Sequence, residues 1–147
     1  MPFIILIVVV VVLALWLVSL YNRMVSLRNN RESSFADIDV QLKQRSDLIP
    51  QLVETVKGYS FHEKDTLEKI IQARNGLNTA TSIGEKIQAD NQLTSAIQGL
   101  RVQVEAYPEL KANQNFLQLR EELSDIESKL AAARRYFNAA TKEYNNS

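Results

Sequence analysis

This chain of 147 residues has no cysteine, one histidine, four glycines and three prolines. Without cysteine there can be no disulfide, no thiolate nucleophile, no Cys-ligated zinc and no lipid-modified lipoprotein cysteine. With His62 as the sole histidine, a bundle di-iron site is excluded, because it needs Glu-x-x-His on two helices. His62-Glu63 is not half of a zinc motif either, since Thr66 stands where H-E-x-x-H requires a second histidine. Asp37, Asp39 and Gln41 alternate like calcium ligands but lack the turn glycine and read as helix. Net charge is missing too. Seventeen basic and seventeen acidic residues cancel, which leaves no electrostatic footprint for nucleic acid. The scarcity of glycine and proline leaves a chain rich in Leu, Ile, Ala, Gln, Glu, Lys and Arg, the composition of long helices.

What the sequence does have is an apolar opening. From Phe3 to Leu20 (FIILIVVVVVLALWLVSL) there is no charge, glycine or proline, and Ser19 is the one polar side chain. As a helix this run is ~27 Å long, against ~30 Å for a bilayer's hydrocarbon. Phe3, Ile4, Leu6, Val9 and Leu13 fall along it, Trp16 and Leu20 near its end, and Tyr21 just beyond. Rings such as Trp16 and Tyr21 favour the headgroup level. No Lys or Arg precedes the run and no small-residue cleavage site follows it, so it reads as an uncleaved anchor. A buried core helix would show a polar stripe, and this run is apolar all round. Arg23, Arg28 and Arg31 follow the span and no cation precedes it, which places the soluble part in the cytoplasm, the extracytoplasmic side being the alternative.

Downstream the apolar residues step by three and four. Phe35, Ile38, Leu42, Arg45, Ile49, Leu52, Val56 and Tyr59 form one stripe, which Pro50 should kink or break. Extended backwards the stripe meets Arg31 and Arg28, so the packed core is expected to begin near Phe35. Gly58 is the expected stop, and Ser60 with Glu63 has capping-box spacing for a second helix with Leu67, Ile70, Arg74 and Leu77 inward. The stretch 78–84 reads as a loop. A third helix is expected from about Glu85 to Tyr107, with Leu93, Ile97, Leu100, Val104 and Tyr107 inward, ended by Pro108. Asn113 is the expected cap of a last helix carrying Phe116, Leu119, Leu123, Ile126, Leu130, Ala133, Phe137, Ala140 and Tyr144. The expected fold is all-α: an anchor over 1–21, a helical stalk over 22–34, and an antiparallel bundle of about four helices over 35–147.

The segments YNRMVSLRN, DIDVQLKQRSDLIPQLVETVKGY, HEKDTLEKIIQAR, EAYPELKANQNFLQLREEL and ARRYFNAATKEYN together resemble the LemA family. RSDLIPQLVETVKGY and EAYPELKANQNFLQL carry the resemblance most specifically, and it runs from Tyr21 to Asn145. Phe35, Gln51 and Phe137 stand where the family commonly has Trp, Asn and Tyr. The resemblance implies a single-pass, membrane-anchored helical bundle with no assigned catalytic activity. It also implies roles in membrane organisation, including in magnetosome-forming bacteria, or in membrane-protein quality control beside a membrane metalloprotease. Some relatives carry lipoprotein signals, which place their domains outside the cytoplasm.

Arg45 and Arg74 lie on apolar stripes, where an arginine is costly unless paired, so acids such as Asp47, Glu105 or Asp39 are expected nearby. Arg45, Asp47, Arg74 and Glu105 are therefore the candidate polar network, or a partner-contact surface beside Pro50; an internal ion-pair network that fixes helix register, or an arginine snorkelling out of the bundle, is the competing account. Tyr107, Pro108, Lys111, Asn113 and Asn115 form a polar tip. Val40, Leu48, Phe61, Val102 and Leu117 lie off the main stripes and could cover a subunit interface. The expected function is a non-enzymatic scaffold without cofactor or metal, self-assembling as a homo-oligomer on the bilayer. The alternative is an accessory subunit for a membrane protease or transporter.

Overall fold

The computed structural model describes residues 2–59 and 61–146 and is all-α, a helical bundle without strands among those residues. Five helices follow in order: α1 (Pro2–Lys57), α2 (Lys64–Thr79), α3 (Ile83–Val104), α4 (Pro108–Lys111) and α5 (Gln114–Asn145). The chain divides into two compact units. One comprises residues 1–36 with 133–147, the other residues 37–132.

In the first unit, α1 carries the apolar run. Its large apolar side chains from Phe3 to Leu20 are 39% to 77% exposed, so no protein core covers them. Among the described residues α1 is the one helix long and apolar enough to cross a membrane. Beyond the run the end of α5 comes alongside α1. The Phe35 and Phe137 rings lie 6.4 Å apart, and Leu27, Ser34, Phe137 and Ala140 are buried. Burial thus begins at Leu27, two turns ahead of Phe35. Arg31, which interrupts the apolar stripe, is accommodated by stacking on aromatic rings from α5.

The second unit is built on the stripes the spacing marked out. Ile38, Leu42, Ile49, Leu52 and Val56 of α1 are buried, with Leu67, Ile70 and Leu77 of α2, Leu93, Ile97, Leu100 and Val104 of α3, and Phe116, Leu119, Leu123, Ile126 and Leu130 of α5. Each fully buried side chain of this kind stabilises by ~1.5–3 kcal/mol relative to exposure. Asp39 and Arg45 of α1 meet Lys86 and Asp90 of α3 in the same order along both helices, so α1 and α3 run parallel. The α2–α3 hairpin folds one against the other through three residues, 80–82.

Several boundaries differ from the sequence reading, each for a local reason. The 78–84 loop shrinks because Ser82 forms a capping box with Glu85: Ser82 Oγ accepts from Glu85 N at 3.2 Å, and Glu85 Oε2 accepts from Ser82 N at 3.2 Å. The first helix ends at Lys57, just before Gly58. The capping box expected at Ser60 falls outside the described residues; Glu63 precedes α2 without a side-chain cap bond. Asn113 does cap α5, its Oδ1 accepting from Phe116 N at 2.9 Å. Pro50 brings no break: α1 passes through it. Phe61 is 7% exposed, against the expectation of a subunit-facing residue, because its ring packs 4.8 Å from that of Tyr107.

Candidate functional site

The polar interior of the second unit is where chemistry would have to reside. Arg45 takes a stripe position on α1, so its guanidinium enters the core, and the side chain is 1% exposed. A buried guanidinium must be neutralised and hydrogen-bonded. Its Nη1 donates to Asp90 Oδ1 at 2.5 Å and to Thr94 Oγ1 at 2.9 Å, both on α3. Asp90 is itself buried, with its side chain 6% exposed. Asp90 was legible in principle. Counting backwards from Leu93 by three reaches Asp90, and by a further four Lys86, so an acid sits on the inward face opposite the inward arginine.

Arg74 solves a different problem. Proline has no amide hydrogen, so Pro50 cannot donate to the carbonyl four residues earlier, that of Ser46. Ser46 is buried at 2% exposure, where an unsatisfied carbonyl is costly. Arg74 Nε of α2 donates to this carbonyl oxygen at 3.0 Å. One turn on, Asn78 Oδ1 accepts from Ser46 Oγ at 2.7 Å. Two residues of one α2 face thus grip the α1 position that the proline leaves open, and the helix continues.

Asp47 and Glu105 do not join this network. Asp47 is exposed and forms no ion pair among the described residues, and Glu105 pairs with Lys111 at 2.5 Å on the surface. Asp39 pairs with Lys86 at 2.5 Å. The acid that partners Arg45 is Asp90, and the partner of Arg74 is a backbone carbonyl. Around the tip, Pro108 opens α4, and Asn113 also bonds the Tyr59 hydroxyl with its amide. His62 is exposed in the connection before α2. Among the described residues no three His, Cys, Asp or Glu side chains gather where a metal could be held.

Two features escaped the sequence. Between α2 and α3 runs an open groove of about 790 Å³, its walls carrying Lys69, Gln72, Gln88, Gln92 and Ser95 over a floor of Ala73, Ala96 and Gly99. In the first unit, the Arg31 guanidinium carbon lies 5.9 Å from the centroids of both Phe137 and Tyr144. Nearby, the Arg28 guanidinium is held above its ordinary pKa, chiefly by its hydrogen bond to Glu32 at 2.9 Å.

These features define a class: an all-α protein with a helix of membrane-crossing length and a bundle whose buried arginine is paired with a buried aspartate, its Nη1 bonded while its Nε has no partner among the described residues. The LemA family profile matches residues 34–147, and the chain belongs to the LemA family. It is 28% identical over 126 residues to a protein described as Protein LemA from Metamycoplasma hominis, an alignment covering 85% of this chain. The chain spans 58% of that relative's length.

Proposed function

We propose that this protein is a membrane-anchored, non-enzymatic helical scaffold whose α1 run from Phe3 to Leu20 lies in the bilayer. The observation that carries the reading is the sustained exposure of that run. Eighteen consecutive residues of hydrocarbon-like surface are incompatible with water and match the thickness of lipid. Arg45, Asp90 and Arg74 support the non-enzymatic part. Arg45 Nη1 is bonded to Asp90 and Thr94, and Arg74 Nε to the Ser46 carbonyl, so these groups act as a register lock between helices. Exposed Val40, Val102 and Leu117 support self-assembly, since they offer apolar surface on the second unit. The cationic flank of Arg23, Arg28 and Arg31 favours a cytoplasmic soluble part.

A second reading, an adaptor for a membrane protease or transporter, is favoured by the amide-rich groove between α2 and α3. Carbonate extraction of membranes holding the full chain tests the anchor: the protein should stay with the pellet, and release into the supernatant defeats the reading. Mass measurement of the detergent-purified protein then separates a homo-oligomer from a complex containing a second protein.

A further inference from the structure

The chain has zero net charge, yet the charge is divided between the two units. The unit containing the apolar run holds Arg23, Arg28, Arg31, Arg134, Arg135 and Lys142 against Glu32 and Glu143, a surplus of four cations. Residues 37–132 hold eleven basic and fifteen acidic side chains, a deficit of four. Three of the six cations come from the far end of the chain, so local sequence does not place them beside the span.

Tertiary contacts do. Phe137 lies beside Phe35 and Arg31, and Tyr144 beside Arg31, so α5 descends along α1 toward Tyr21. Arg31 stacked on both rings fixes that descent. Lys142, one turn past Asn138 and two residues before Tyr144, is thereby carried to the depth of Arg28 and Arg31. Arg28 follows Tyr21 by seven residues, ~10 Å of helix, about one Debye length at an ionic strength of ~0.1 M. Arg23, Arg28, Arg31 and Lys142 are all exposed. Among the described residues, Glu32 is the one acid that engages them in an ion pair, through Arg28.

We infer that the end of α5 and the start of the soluble part of α1 form a composite cationic collar, Arg23, Arg28, Arg31 and Lys142, that binds the anionic headgroups of membrane lipids. The inference rests on the anchor reading, because the span is what brings the collar to the lipid surface. Anionic lipid chemistry fits: the cations are exposed, long side chains on the helix ends that follow the span, and Arg31 lies 5.9 Å from the centroid of Tyr144.

The test uses the full chain in bilayer nanodiscs and the relative association of spin-labelled phosphatidylglycerol and phosphatidylcholine. The wild type should prefer phosphatidylglycerol, with the preference shrinking as salt is raised. Lys142→Gln should lower it by up to about fivefold, the effect of one cation near an anionic surface. Lys142→Arg should restore it, and Arg120→Gln in the other unit should leave it unchanged. No headgroup preference in protein that has inserted overturns the collar and leaves the anchor standing. A preference abolished by Arg23→Gln with Arg28→Gln but indifferent to Lys142→Gln also overturns it, since α1 alone would then suffice. Failure of the chain to enter the bilayer overturns both.

Discussion

Arg74→Met should remove the donor that compensates for Pro50, and the size of its effect should depend on the proline. In the wild-type chain the Ser46 carbonyl, buried and bonded by Arg74 Nε at 3.0 Å, would be left without a partner. Such an orphaned acceptor costs ~1–3 kcal/mol, and loss of the side chain's methylene packing is offset by the methionine. For a unit the size of residues 37–132 this is a fall of roughly 4–8 °C in Tm per kcal/mol. Pro50→Ala supplies a backbone N–H to the same carbonyl. Pro50 is exposed, so its ring contributes little packing, and removing a proline from a helix interior should stabilise by about 1–2 kcal/mol here. In the Pro50→Ala background, Arg74→Met should then cost ~1 kcal/mol less, since the amide introduced by that substitution occupies the carbonyl. The assay is thermal and urea unfolding of the four full-length proteins in detergent, followed by helical circular dichroism. A coupling within ~0.3–0.5 kcal/mol of zero, the additivity expected of independent sites, refutes the account of Arg74 as the proline's substitute donor.

Breaking the Arg45–Asp90 pair by Arg45→Met or Asp90→Leu alone should destabilise by ~3–5 kcal/mol, because each leaves a buried uncompensated charge. The double substitution should fall near the wild type in the same melts. Phe61→Ala should cost about 3 kcal/mol in urea unfolding, since it empties a buried ring position against Tyr107. Ser82→Ala should cost ~1 kcal/mol by removing the cap of α3. Glu85 of that cap is held below the usual carboxylate pKa, first by the backbone N–H of Thr81 and then by that of Ser82. Its contribution is therefore present above the ordinary carboxylate range and is lost as pH falls below about 4. Glu85→Gln should flatten that part of the stability–pH curve, and an unchanged curve counts against the cap as its source.

The helical architecture was legible because period and punctuation are local. The stripe from Ile38 to Val56 buries where spacing placed it, as do Leu67, Ile70 and Leu77 of α2, Leu93, Ile97, Leu100 and Val104 of α3 and Phe116 to Leu130 of α5. Arg74, Tyr107, Ala133 and Tyr144, by contrast, are half-buried. Asn113 caps, and the apolar run needs only its length and composition to be read. Even Asp90 stood on the inward face of α3, where continuing the stripe would have found it.

Tertiary structure decided the pairings. Which acid meets Arg45 depends on the parallel register of α1 and α3, and Asp47, close in sequence, points to solvent instead. That Pro50 leaves α1 unbroken depends on Arg74 arriving from another helix at the one carbonyl the proline strands. Phe61 is buried against the ring of Tyr107, and Tyr144 reaches Arg31 because α5 returns along α1. Periodicity along a chain fixes which side of a helix is apolar. It cannot fix which groups of two helices lie at the same height, because that depends on how the helices slide and turn against each other.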